Sequence, residues 1–554
     1  MKILIATPRW FVGDVVNYRY MFPLGLAYIS AALKRAGHAV DILNSNHFAG
    51  PVNEIVRKFM QGKHYDCMLT GGISTFYGQL KELIEAVKKQ DSKIKVILGG
   101  GVISSEPDLI FNALRPDYGV IGEGEETIVE LLACLARGGD VSLVNGLIFK
   151  KPDGKIKITA PRASINDIDT LPYPDFQGFQ FEQYLEHMHP SDQLGLDLFD
   201  RPRSYPIIGS RSCPYSCSFC FHPIGKHYRQ RSLDAIMDEL KHNALRYKIN
   251  IIALYDELFA NDRERVLDFC RRMKEFLATL PWECRWGCQL RVDRVDDELL
   301  KAMKESGCFN ISYGFESYSP QVLKSMKKQI TPEQINRAIE LTLKHAISIQ
   351  GNFIFGDLAE TAKTAKLTLD YWKEHANAGI ILSFINPYPG TQIYQKLIER
   401  GVIKDRLDFI SNHIFDVINM TEKMSEAEFG RLWFDILRAK LRFRTYARSY
   451  RLLNGDNGTV TIRVECPHCR QIIEYGNFYV LSKMVLFAML YCRACRRRFY
   501  VSSRFYRWFT RLSIIMTHLP GSAYVLFRKV WSFVKKRDPR FRKNSLLGRL
   551  SDDD

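Results

Sequence analysis

A chain of 554 residues with 46% hydrophobic and 25% charged residues has the makeup of several globular domains, which excludes a disordered or fibrous protein. No run approaches the ~20 consecutive apolar residues that span a bilayer, and the opening MKILIATPRW enters a strand pattern directly, so a cytoplasmic protein is expected. The formal charge of +17 gathers at the carboxyl end, where residues 496–549 carry 15 Lys or Arg against the single acid Asp538; it describes a tail, not the bulk of the chain.

Residues 1–145 alternate short apolar runs with amphipathic stretches, the pattern of a doubly wound, Rossmann-like parallel sheet. Strands are predicted at KILIAT, HAVDIL, CMLTGG, KVILGGG and YGVIGEG. Glycines follow the strand ends at Gly71, Gly72, Gly99, Gly100, Gly101, Gly122 and Gly124. Ligands of such sheets bind outside the carboxyl ends of the strands, where glycine admits a close approach to the backbone. Residues 146–200, with the hairpin-like GLIFKKPDGKIKIT and the turn-rich LPYPDF, read as a connector.

Over 201–400 the strand-helix alternation resumes for six repeats, at SYPIIGS, NIIALYDE, CRWGCQL, NISYGFES, SIQGNFIFG and IILSFINPYPG. Six such units predict a partial (β/α)6 barrel, with an open sheet as the alternative. CPYSCSFC follows the first of these strands, where a barrel carries its catalytic loops. Cys213, Cys217 and Cys220 can hold three irons of a 4Fe-4S cluster and leave the fourth without a protein ligand. A zinc site or a redox disulfide is the alternative, although both usually use paired CxxC units.

A helical segment fills 401–460. Within 461–500, Cys466 and Cys469 are separated from Cys492 and Cys495 by 22 residues, which suits a zinc-ribbon-like module with His468 as a bystander; a second iron-sulfur cluster is the alternative. The other six cysteines (Cys67, Cys134, Cys270, Cys284, Cys288, Cys308) are scattered and read mostly as small core residues. The tail, 501–554, interleaves arginine and lysine with aromatics in helical spacing. Peripheral contact with an anionic membrane is the favoured use, with nucleic acid less favoured and packing on the protein itself as the bland alternative.

CPYSCSFC resembles the radical S-adenosylmethionine (radical SAM) signature, with the aromatic Phe219 before the last cysteine. The resemblance runs on through YDELF, YGFES, FIFGDLAET and PYPGT, the last containing Pro389 and Gly390. It implies catalysis through Cys213, Cys217 and Cys220, with Asp256 and Glu257 at the methionine amino group, Glu316 at the ribose and Gly356 on the strand passing the adenine. Leu358 stands where the family usually has proline. The amino-terminal region resembles the cobalamin-binding domain often fused to such barrels, through PLGLAYISAALKRAGHAVDIL, the triple glycine at Gly99 and VIGEGEET. It lacks the DxHxxG of histidine-ligating members within residues 1–50.

Together the resemblances imply a cobalamin-dependent radical SAM enzyme, a methyltransferase acting on an unactivated carbon through a 5'-deoxyadenosyl radical. A cyclase or rearrangement enzyme of the anaerobic porphyrin cyclase type is the rival, and a nucleic-acid-binding protein using ribbon and tail is the alternative of another class. The implied partners are a small-molecule or lipid substrate and an electron donor such as flavodoxin or ferredoxin.

Overall fold

The computed structural model of the chain describes residues 1–10, 14–259, 261–455, 458–480, 485–520 and 522–523. In β1 (Lys2–Thr7) the run Ile3, Leu4, Ile5 and Ala6 is fully buried, as a strand covered on both faces requires. It pairs in parallel with β2 (Ala39–Asn44) on one side and β3 (Cys67–Gly71) on the other. The sheet continues through β4 (Lys95–Gly99) and β5 (Tyr118–Val120), also parallel. Chain direction therefore diverges between β1 and β3, which opens a crevice at the carboxyl ends of the strands.

The hairpin β6 (Leu147–Lys150) and β7 (Ile156–Ile158), expected in the connector, instead extends this sheet to seven strands. Its register is set by Val120 opposite Leu147 and Tyr118 opposite Phe149, antiparallel. The rest of the connector is cemented by aromatic rings. Phe176 and Phe181 lie 5.2 and 5.0 Å from Phe22 of the first domain, and 4.9 and 6.0 Å from Tyr205 of the second.

The second sheet is all parallel: β8 (Ser204–Ile207), then, after a short antiparallel pair β9 (Ser210–Arg211) and β10 (Arg229–Gln230), β11 (Ile251–Leu254), β12 (Arg285–Leu290), β13 (Cys308–Glu316), β14 (Ser348–Phe355) and β15 (Ile380–Phe384). The six parallel strands stand in sequential order and do not close, as the partial barrel requires. The intervening helices begin on side-chain caps: Ser232, Asp262, Asp296, Thr331 and Thr361 each accept from a backbone N–H two or three residues on. Such caps stop each loop at a fixed point and so fix where the strand ends project.

Helix 426–442, opened by a Ser425–Glu428 capping box, leads into β16 (Tyr450–Asn454), β17 (Thr459–Glu465), β18 (Ile472–Tyr479), β19 (Phe487–Tyr491) and β20 (Arg498–Ser502). This module docks on the amino ends of β14 and β15. Tyr491 Oη donates to Ile349 O at 3.2 Å, and Arg498 Nη2 donates to Ala376 O and Ile380 O at 2.6 and 3.1 Å. Of the predicted tail, residues 501–520 and 522–523 are described, with a helix at 504–516; residue 521 and the stretch from 524 onward lie outside the described residues.

Candidate active site

Three thiols face one cavity of about 590 Å³ at the carboxyl ends of the second sheet. Cys213, Cys217 and Cys220 sit on a loop after β9, and the loop is held from several sides. Ser218 N donates to Met326 O at 3.1 Å and Ser218 O accepts from Ile393 N at 3.0 Å. The Arg291 guanidinium lies 3.7 Å over the ring of Tyr215. Burial pushes the Cys213 and Cys217 thiols above their usual range, and burial together with Glu257 and the neighbouring thiols pushes Cys220 to about 12. Metal charge must therefore displace these protons for thiolates to form.

The spacing of the sulfurs separates a cluster from a single ion. Among the described residues, only Cys466, Cys469, Cys492 and Cys495 form a set of three or more ligand atoms all within 4.8 Å of one another. The three loop thiols do not, so they are too far apart to share one ion tightly and suit a larger, multi-iron body.

Of the acids expected beside SAM, Glu257 and Glu316 line the cavity and Asp256 does not. Both acids lie in the irregular segment after β11, which ends at Leu254, and that segment turns the Asp256 carboxyl inward and the Glu257 carboxyl to the cavity. Asp256 Oδ1 accepts from Gly209 N and Ser210 N at 2.8 and 2.6 Å, while its buried Oδ2 has no partner. Burial raises this carboxyl to about 7. Glu316 has φ +61° at an irregularity in β13 and is paired to Lys328 at 2.7 Å.

Gly356, φ +97°, lies just beyond the cavity, and β14 lines it through Asn352 and Ile354 instead. Gly356 N donates to the fully buried Glu360 carboxylate at 2.5 Å. Burial raises that carboxyl to about 8. The Glu360 contact holds the turn in which Leu358 replaces the family's proline. Phe219 lines the cavity. Lys328, Arg291, Trp433, Ile436, Leu437 and Lys440 also line the cavity, and no motif in the sequence marks them; the last four come from helix 426–442, outside the barrel repeats.

The first domain turns its glycine edge toward the cysteine loop. The ring of Phe221, next to Cys220, lies 3.7 Å from where a Cβ would stand on Gly101 and 2.4 Å from that position on Gly390. Packing of strand ends demands several of the glycines: a Cβ on Gly71 would meet Gly99 O at 2.7 Å, and one on Gly100 (φ +84°) would meet Gly72 O at 2.8 Å. Gly122, φ +83°, has no atom within 4 Å of that position and borders open space. A Cβ on Gly124 would meet the Ile29 side chain at 2.9 Å. A glycine-lined edge at the crevice fits a flat cofactor. His47 offers it no free ring nitrogen, since both are engaged, with Tyr20 Oη and Gln180 Oε1, each at 2.7 Å.

Two of the three acids of VIGEGEET, Glu123 and Glu125, point to the barrel, while Glu126 is exposed and pairs with Arg162. Glu123 Oε1 accepts from Arg211 Nη1 at 2.8 Å and its Oε2 from Arg229 Nη1 at 2.7 Å and Ile165 N at 2.8 Å. Glu125 accepts from Arg211 Nη2 at 2.5 Å. All four side chains are buried. Burial opposes the charge on Glu123, yet Arg229 and Arg211 hold its carboxyl below the ordinary glutamate range.

In the carboxyl-terminal module Cys466 Sγ and Cys495 Sγ lie 3.9 Å apart, and Cys469 Sγ and Cys492 Sγ 3.6 Å. A tetrahedral ion with metal-sulfur bonds of about 2.3 Å has edges of about 3.8 Å. His468 Nε2 is bonded to Arg498 O at 3.0 Å, away from the sulfurs.

Comparison with known proteins follows the same division of the chain. The family model of the B12 binding domain matches residues 12–132 and that of the radical SAM superfamily residues 207–371. An uncharacterized methyltransferase of Pyrococcus horikoshii, PH0819, is 28% identical over 69% of this chain and 79% of its own. The anaerobic magnesium-protoporphyrin IX monomethyl ester cyclase of Rubrivivax gelatinosus is 26% identical over 73% and 71%. The structure of the radical SAM methyltransferase TsrM from Kitasatospora setae shares the fold with a TM-score of 0.60 at 19% identity, over 72% of this chain and 76% of that one. The chain is a radical SAM protein in which an amino-terminal B12-binding domain precedes the radical SAM domain.

Proposed function

We propose that the chain is a cobalamin-dependent radical SAM methyltransferase acting on an unactivated carbon. The observation that carries the reading is the meeting of the cysteine loop and the glycine edge of the first domain at Phe221. Cys213, Cys217 and Cys220 would hold a 4Fe-4S cluster, and the edge at Gly72, Gly101 and Gly122 a cobalamin. When bound, these groups supply the electron that cleaves the SAM sulfonium and the methyl group that is transferred.

The remaining work falls to the chain's own residues. Glu257, on the cavity wall, would accept from the methionine ammonium group and Glu316 from the ribose hydroxyls. Arg291 and Lys328 keep the loop and Glu316 in position. Trp433, Ile436 and Leu437 form an apolar wall that keeps water from a reactive radical, and Lys440 adds a positive charge for an anionic group on a small-molecule or lipid substrate.

We assign zinc to Cys466, Cys469, Cys492 and Cys495 on the tetrahedral spacing, with a second cluster as the alternative. The thirteen free cysteines fit a reducing cytoplasm, where a flavodoxin or ferredoxin would serve as reductant.

The test is anaerobic reconstitution with iron, sulfide, cobalamin and SAM. Mass spectrometry then follows deoxyadenosine, S-adenosylhomocysteine and methylated products in lipid and cell extracts. S-adenosylhomocysteine formed with a methylated product supports methyl transfer. Deoxyadenosine without it supports the cyclase reading suggested by the Rubrivivax relative.

A further inference from the structure

Helix 504–516 is turned inside out. At 3.6 residues per turn, Phe505, Trp508, Phe509, Leu512, Ile515, Met516 and Leu519 of the turn that follows fall within an arc of about 120°. All seven are exposed, Trp508 by 56%, Phe509 by 55% and Ile515 by 65%. The buried side of the same segment is made by Thr510 and Thr517. A helix that only packed on its own protein would bury the aromatics and expose the threonines.

The charges around this face show what covers it. Arg504, Arg507 and Arg511 fall along one border of the arc, and the helix carries no acid. Arg507 lies 4.5 Å over the Tyr446 ring. Residues 524–550, next in sequence, hold nine Lys or Arg against Asp538 alone. Aromatic and aliphatic side chains edged by arginine match the boundary of an anionic bilayer, where rings enter the acyl region and cations meet phosphate.

We propose that helix 504–516 lies in the interface of an anionic membrane and seats the enzyme there. Its neighbour sets the consequence. Arg438 of helix 426–442 donates to Thr517 O at 3.3 Å, and the same helix walls the cavity with Trp433, Ile436 and Leu437. One helix therefore separates the membrane face from the reaction chamber.

The test is flotation of the full-length, zinc- and iron-loaded protein with vesicles. One set is phosphatidylcholine alone; the other is equal parts phosphatidylcholine and phosphatidylglycerol. Partition to the anionic vesicles, weakened by salt, is expected. The double variant W508E/F509E should lower it at least tenfold, and W508L/F509L should retain it; unchanged metal content in both shows that the fold is intact. The variant R504E/R511E should abolish the preference for anionic vesicles. The proposal is overturned if wild type stays off both vesicle types, or if W508E/F509E floats as well as wild type. It is equally overturned if light scattering shows that W508E/F509E instead breaks a dimer, since a second copy would then cover the face.

Discussion

Replacing Glu123 by glutamine tests whether the two domains are clamped by charge. The side chain keeps its shape but loses its charge and presents an NH2 donor to Arg229 or Arg211, which are already donors. Charge-assisted hydrogen bonds are worth about 1.5–3 kcal/mol each, and removing one partner of a buried pair costs about 3–5 kcal/mol. Glu125 still holds Arg211, so the lower half of that range, about 3–4 kcal/mol, is expected.

Glu130, in the helix Glu125–Ala136 that follows Glu123, pairs with Arg162 but is 46% exposed, so Glu130→Gln should cost about 0–1 kcal/mol. Urea titration followed by circular dichroism, with a common slope, converts the midpoint shifts into these energies. Because folding depresses the Glu123 carboxyl, its contribution is complete above the ordinary glutamate range and is lost as pH falls below it; the gap between Glu123→Gln and wild type should narrow in acid. Arg211 lies two residues before Cys213, so the variant should also release iron faster on desalting. Equal destabilisation by Glu123→Gln and Glu130→Gln would refute the clamp.

Cys217→Ala should remove most of the iron absorbance and reduce deoxyadenosine formation by about 100-fold or more, measured anaerobically by mass spectrometry. Cys469→Ser should abolish stoichiometric zinc in elemental analysis and make the 461–500 module susceptible to protease, because metal binding and folding share one free energy. Asp256→Asn keeps the acceptor facing Gly209 and Ser210. Folding raises the Asp256 carboxyl to about 7, so wild type binds a proton on folding and loses stability as pH rises from about 4 to 7; the variant should flatten that slope in urea titrations and leave SAM binding within about threefold.

The strands of both sheets were legible because buried parallel strands are short unbroken apolar runs, as in Ile3–Ala6 and Ile251–Leu254. The hairpin β6–β7 was misplaced because KKPDGK shows its turn, while its pairing with Tyr118–Val120 is a contact about 30 residues away that no local pattern encodes. The cysteine loop was readable from spacing alone. Glu123 and Glu125 were not readable as a clamp, since Arg211 and Arg229 lie 86 to 106 residues further on. Asp256 shows a third limit: a motif names two neighbouring acids, and only the folded path of the loop after β11 decides which one reaches the cavity.

Phe221 acts as a spacer of fixed thickness between the two cofactor-bearing bodies. Its ring presses on Gly390, where a Cβ would come within 2.4 Å, and faces Gly101 across a gap that a Cβ would fill at ordinary contact distance, 3.7 Å, so one side chain occupies the space where the two bodies meet. A change in the bulk of residue 221 would therefore be felt on the Gly390 side first and on the Gly101 side only once that gap is filled.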